Sequence, residues 1–138
     1  MTEMSKNQVI ETFNKHMMEF VMDVERVFPD DTDVTALRKS LSRTIMLIPK
    51  SIIRAFNEHF CVVYGNEIDE GNLDFFIDND YKTKHGNIIN NNNMIIKKIN
   101  ELRRPVRNMA GDDKAKVIQY LKNFKKLTEL YNSLRKKK

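Results

Sequence analysis

Hydrophobic residues near the two ends of the chain recur at helical spacing. In the first segment they are Ile10, Phe13, Met17, Phe20, Val24 and Val27, and in the last they are Val117, Tyr120, Phe124, Leu127, Tyr131 and Leu134. Both series alternate steps of three and four residues, the period of one face of an α-helix. The pattern predicts a long amphipathic helix at each end, and we expect these two helices to pack against each other.

Capping and proline motifs predict where these two helices begin and end. Ser5 followed by Gln8 is a capping-box start for the first helix. Pro29 ends that helix, because the residue before a proline is disfavoured in the α region. Asp112 is expected to cap the last helix. The turn before it follows Pro105, which is expected to kink or end a preceding helix over residues 87–104.

Two further helices are predicted between residues 32 and 71. The second helix starts at Thr32 or Asp33, stops before Pro49, and carries an apolar stripe of Val34, Leu37, Leu41, Ile45 and Ile48. Pro49 can serve as the first residue of the third helix, where a missing N–H is tolerated. The inner face of the third helix is predicted to hold Ile52, Phe56, Phe60 and Val63. Because one internal glycine is tolerated, we expect this helix to continue through Gly65 to Ile68.

The centre of the chain, residues 69–86, combines apolar and acidic residues without helical period. Asn72 could cap one short turn there, followed by two adjacent phenylalanines that cannot share a helix face. Two interpretations stay open, a hydrophobic lid on the core and an exposed docking patch. The candidate partner contacts are Phe75, Phe76, Asp78, Asp80 and Tyr81.

Length and composition favour a single folded domain. The 138 residues are 41% hydrophobic, with four glycines and three prolines, which is typical of a globular helical protein. We predict an all-α, single-domain bundle of about five helices over residues 1–138, with an irregular acidic and aromatic centre and a frayed basic tail at 135–138. No apolar run reaches the ~20 residues that span a bilayer, and no secretory signal is evident. Cys61, the single cysteine, suits a reducing compartment, so we expect a protein that is not secreted and makes no membrane contact.

Charge is distributed unevenly along the chain. Residues 1–80 hold 8 Lys and Arg against 15 Asp and Glu, a charge of −7, whereas residues 81–138 hold 16 against 4, a charge of +12. The basic half could neutralise nucleic-acid phosphates. The candidate nucleic-acid contacts are Lys97, Lys98, Arg103, Arg104, Arg107, Lys122, Lys125, Lys126, Arg135, Lys136, Lys137 and Lys138. Helix-dipole compensation, a lysine-rich codon bias and packing against the acidic half explain the same residues equally simply.

Candidate catalytic and metal-binding groups are sparse. His16, His59 and His85 are far apart and lack further ligands at metal spacing. Residues from Asp78 onward do not fit a calcium loop, because lysine and threonine occupy its fifth and sixth positions. Cys61 has no base positioned to activate it. The sequence therefore predicts no enzyme, no cofactor and no bound metal.

Several motifs carry a resemblance to a viral family. They are Phe28-Pro29-Asp30-Asp31, Pro49-Lys50, Asp74-Phe75-Phe76-Ile77-Asp78-Asn79-Asp80-Tyr81, Arg104-Pro105-Val106-Arg107-Asn108-Met109 and Tyr120-Leu121-Lys122-Asn123-Phe124-Lys125-Lys126-Leu127. In these motifs the chain resembles a family of small helical proteins of giant nucleocytoplasmic large DNA viruses, of the mimivirus and phycodnavirus kind. The resemblance implies a viral origin and a place in the host cytoplasm, at the viral factory, or in the virion. It implies no role for an individual residue.

Together these observations predict a non-enzymatic viral interaction or assembly module, a helical bundle that binds another protein, either a copy of itself or another viral or host protein. The alternative is a sequence-independent nucleic-acid-binding protein that uses the basic face of residues 97–138.

Overall fold

The computed structural model describes residues 5–74, residue 76 and residues 102–136. Within these ranges the chain forms five helices and no strand, which confirms the all-α prediction. The helices are α1 (Lys6–Val27), α2 (Thr32–Leu47), α3, α4 (Arg103–Arg107) and α5 (Gly111–Lys136). Helix α3 is continuous but consists of an α-helical segment Ser51–Phe56, a π-helical turn Asn57–Cys61 and an α-helical segment Val62–Asp69.

Helix α1 has the predicted ends. The Ser5 hydroxyl accepts a hydrogen bond from the Gln8 N–H at 3.1 Å, and the Gln8 side chain accepts one from the Ser5 N–H at 2.7 Å. This reciprocal capping box satisfies two N–H groups that the first helical turn leaves unpaired. Helix α1 ends at Val27, next to the Phe28-Pro29 motif, as the sequence predicts.

The ends of α2 differ from the prediction. Asp31, one residue before the expected cap, accepts hydrogen bonds from the N–H groups of Asp33 and Val34 at 3.0 and 3.2 Å. The helix ends at Leu47, so Ile48 is 58% exposed instead of completing the apolar stripe. Pro49 likewise lies in the turn, not in α3, which starts at Ser51.

A π-helical turn changes which residues of α3 face the core. The Val62 N–H bonds to the carbonyl of Asn57, five residues back, which inserts one extra residue into the turn. The buried positions are therefore Ile52, Phe56, Phe60, Tyr64 and Ile68, spaced by four. Val63, predicted to face inward, is 38% exposed. The continuation through Gly65 to Ile68 is confirmed, with a kink at Tyr64.

Helix α5 packs between α1 and α3, with its chain direction opposite to both. Its first half meets the end of α1, where Tyr120 stacks near Phe20, and its last turns meet the start of the π turn, where Asn132 donates to Asn57 at 3.1 Å. Helix α2 runs back along α1 and is joined to it by an ion pair between Arg38 and Glu25 at 2.7 Å. The predicted pairing of the two long helices is confirmed.

Phenylalanine rings form the centre of the core. The Phe124 ring lies 5.2, 5.5 and 6.0 Å, between centroids, from the rings of Phe13, Phe56 and Phe20. Phe56 also stacks on Phe60 at 5.1 Å. Because these rings come from α1, α3 and α5, a single aromatic cluster joins the three longest elements of the bundle.

The C-terminal region needs three corrections. Helix α5 begins at Gly111, so Asp112 lies in its first turn instead of at its cap. Pro105 lies within the short helix α4, whose first turn accommodates it because that position needs no N–H donor. Helix α5 continues to Lys136, so Arg135 and Lys136 are helical, not part of a frayed tail. Residues 87–101 of the predicted fourth helix lie outside the described residues.

Candidate interaction surface

The predicted partner contact Phe76 is a core residue. Its side chain is 1% exposed, and its ring lies 6.4 Å from that of Phe60. Asn72 accepts a hydrogen bond from the Asp74 N–H at 3.0 Å and so starts the short turn as predicted. Burial makes the partner-contact role of Phe76 wrong in this fold and supports the lid interpretation for this residue. Phe75, Asp78, Asp80 and Tyr81 lie outside the described residues.

The predicted nucleic-acid contact Lys125 instead joins α5 to α3. Its ammonium lies 3.1 Å from Asp69 and 2.8 Å from Glu129, and its side chain is 14% exposed. Hydrogen bonding to Glu129, opposed by burial and aided by Asp69, raises the pKa of Lys125. The stem of the lysine passes over Gly65, where an added Cβ would lie 3.3 Å from the lysine Cε. Lys125 is therefore a structural cation and not an available phosphate contact.

The other basic candidates are divided in their surroundings. Arg104 is exposed and lies 3.9 Å from Asp33, which again links the basic half to the acidic half. Arg135 is exposed, with its guanidinium 5.7 Å from the centre of the Tyr131 ring. Arg107 and Lys126 are exposed, whereas Arg103 and Lys122 are partly buried. Lys97, Lys98, Lys137 and Lys138, and the side chain of Lys136, lie outside the described residues.

Groups with chemical potential are separated in the fold. Among residues 5–74 and 102–136, no three His, Cys, Asp or Glu side chains lie close enough to hold a metal ion. His16 hydrogen-bonds Glu19 at 3.0 Å on the surface, whereas His59 is buried in the π turn. His85 lies outside the described residues. Burial raises the pKa of the Cys61 thiol from its usual 9.0 to about 12, although Thr128 and Lys125 nearby act in the opposite direction.

The raised pKa of Cys61 predicts slow alkylation of the folded protein. At pH 8 the thiolate fraction falls about 1000-fold when the pKa rises from 9.0 to about 12. We expect iodoacetamide to modify Cys61 rapidly in urea and at least 100-fold more slowly in buffer. Since the folded pKa exceeds the unfolded one, the stabilisation is complete below pH 9 and is lost as pH rises towards 12. Equal rates in buffer and urea would contradict this prediction.

The largest exposed apolar side chains occur together where α2 ends. Met46, Leu47 and Ile48 are 80%, 72% and 58% exposed, and we call these three residues the apolar tip. They project outward because Val34, Leu37 and Leu41 already fill the inner face of α2. A signal for this exposure exists in the sequence, since residues 45–48 are four consecutive apolar residues and one helix face cannot cover them all.

Basic side chains surround the apolar tip. From Lys39 to Asn57 the chain contains Lys39, Arg43, Lys50 and Arg54 but no Asp or Glu, and all four are exposed. This run lies within the acidic half of the sequence. Asn14 fixes the turn that carries the tip, because its buried side-chain amide donates to the Pro49 carbonyl at 2.9 Å.

An open acidic groove lies at the other end of α1. The groove has a volume of about 770 Å³ and is lined by Glu19, Met22, Asp23, Glu25, Arg26, Pro29 and Tyr120. The Tyr120 hydroxyl donates to Asp23, which also pairs with Arg26. Burial, reinforced by the charge of Glu19, raises the pKa of Tyr120. We call this surface the α1–α5 groove; the sequence gives no signal for it, because it joins residues about 100 positions apart.

Comparison with known proteins adds no relative. No protein-family model, curated protein or solved structure matches this chain. Within the described part of the chain, no helix has both the length and the apolar character needed to cross a bilayer.

Proposed function

We propose that this chain is a non-catalytic interaction module of a giant DNA virus, acting at the viral factory in the host cytoplasm or in the virion. Its task is to bind another protein through the apolar tip. The observation that supports this function is the exposure of Met46, Leu47 and Ile48 side by side, each more than half exposed. Large apolar groups that meet on a surface commonly mark contact sites, whereas scattered single ones do not.

The geometry of the tip favours a partner with a recess. Met46 and Leu47 are consecutive helical residues and point about 100° apart. A flat surface could cover one of them but not both, so the partner must surround the tip to bury it. The exposed cations Arg43, Lys50 and Arg54 require that the rim of such a recess be acidic or neutral.

Photocrosslinking tests the proposed contact. A benzophenone amino acid placed at Leu47 should crosslink to a defined second protein in the virus-producing cell. Val62 is the matched control, because it is also apolar and is 73% exposed, against 72% for Leu47. The same products at both positions, or none at position 47, would contradict a docking role for the tip.

The alternative function, sequence-independent binding of nucleic acid, draws support from the exposed Arg104, Arg107, Lys126 and Arg135. For this function we expect a mobility shift of generic duplex DNA whose affinity falls steeply with salt, by about one power of salt concentration per phosphate contact. Exchanging Arg107 and Lys126 for glutamine should weaken the shift, whereas Lys125→Gln should lower stability instead. An absence of any shift at low salt would exclude this function.

A further inference from the structure

We infer that one partner of the apolar tip is a second copy of this chain, which receives the tip in its α1–α5 groove. This inference rests on the proposed function and names its partner. Both surfaces belong to the described part of one chain, and each carries what the other lacks.

The groove offers apolar contact inside an acidic rim. Met22 is 51% exposed at the groove, and Pro29 and the Tyr120 ring add further apolar surface. A tip of Met46, Leu47 and Ile48 needs such a surface, because each of these side chains is more than half exposed to water in the single copy. Burying them is the main favourable term that this contact can supply.

The charges of the two surfaces are complementary. Three carboxylates and one guanidinium line the groove, and its Glu19 side chain remains 47% exposed beside His16. The tip is surrounded by Arg43, Lys50 and Arg54, with no acidic residue between positions 39 and 57. Opposite charges around an apolar contact favour the correct orientation and disfavour others.

The positions of the two surfaces determine how copies can join. The tip ends α2, whereas the groove lies near the end of α1, at the other end of the antiparallel α1–α2 pair. Helix α2 has 16 residues and is therefore about 24 Å long, which prevents the tip from entering the groove of its own chain. Joining tip to tip would oppose cations, and joining groove to groove would oppose carboxylates. The remaining arrangement is head to tail, which produces open chains or closed rings.

A contact of this size is expected to be weak. Interfaces that bury less than about 1,200 Å² are usually transient, and a three-residue tip cannot bury more. Self-association should therefore appear as a mass that rises with concentration, not as a stable dimer. Added salt should reduce it, because the charges that orient the contact lie at the surface.

Sedimentation velocity on the full chain tests this inference. We expect the weight-average mass to rise above the 16.3 kDa monomer between about 10 µM and about 1 mM, the range of weak contacts. Leu47→Asp, which damages the tip, and Glu19→Lys, which damages the groove, should each remain monomeric over that range. Val62→Asp, at an equally exposed apolar position, should associate like the wild type. Circular dichroism shows whether each variant is folded.

Mixing the two variants gives the sharpest result. Leu47→Asp keeps an intact groove and Glu19→Lys keeps an intact tip, so an equimolar mixture should form a dimer of twice 16.3 kDa and nothing larger. A wild-type mass that stays at 16.3 kDa, or a mixture of folded variants without dimer, would overturn the second copy as partner. Neither result would overturn the proposed function, since crosslinking from position 47 to a different protein would still support that function.

Discussion

Replacing Phe124 by alanine is expected to lower the free energy of unfolding by about 3–5 kcal/mol, the usual loss for a fully buried phenylalanine. The Phe124 side chain is 0% exposed and contacts rings of α1 and α3. Its removal leaves a cavity between three elements at once, and no neighbouring ring can fill it without losing its own contacts. Because small proteins have a total stability of about 5–15 kcal/mol, a large part of the stability should disappear.

Urea denaturation followed by circular dichroism measures this loss. Leu130→Ala is the matched control, since Leu130 lies on the same helix and is 38% exposed. We expect that control to change the free energy of unfolding by less than about 1 kcal/mol. Equal losses for the two variants would show that the aromatic cluster does not determine stability.

Deleting one residue should have opposite effects in α1 and in α3. Removing Glu19 rotates the rest of α1 by about 100° and turns Phe20, Val21 and Val24 away from the core. All three are at most 2% exposed, and losing about 1.5–3 kcal/mol for each such side chain should prevent cooperative folding. Deleting Glu58, which is exposed in the π turn, should instead change the free energy of unfolding by less than about 1 kcal/mol.

The periodicity of α3 explains this tolerance. Its buried residues are four apart, and in a regular α-helix that spacing would make their face drift by about 160° between Ile52 and Ile68. The π turn absorbs the extra residue. Without Glu58 the spacing becomes four, three, four and four, and the drift falls to about 60°, so a plain α-helix can bury the same side chains. Thermal melts of both deletions would check this, and a Glu58 deletion as damaging as the Glu19 deletion would contradict it.

Local sequence rules predicted the architecture well where a contact is short-range. The capping box at Ser5 and the facing stripes of α1 and α5 depend on residues within one helix, so spacing alone reveals them. The π turn was missed, because a five-residue hydrogen bond has no known residue signature and depends on what the helix packs against. That single turn exchanges the roles of Val63 and Tyr64.

The candidate surfaces were less predictable, since they depend on distant partners. Lys125 resembles any exposed lysine in the sequence, and its burial follows from Asp69 on another helix. Phe76 was correctly considered as a lid but also named as a contact, and only its distance to Phe60 separates the two. The exposure of Met46 and Leu47 depends on which apolar residues of α2 the rest of the bundle already covers.

Gly65 has a consequence for which sequences this fold accepts. Helix interiors generally disfavour glycine by about 0.5–1 kcal/mol relative to alanine, yet here the missing side chain leaves a channel for the lysine stem that reaches Asp69. An alanine at position 65 would narrow the channel, and any longer residue would close it and displace the ammonium from its two carboxylates. Positions 65 and 125 should therefore vary together: a larger residue at the first requires a shorter or neutral one at the second.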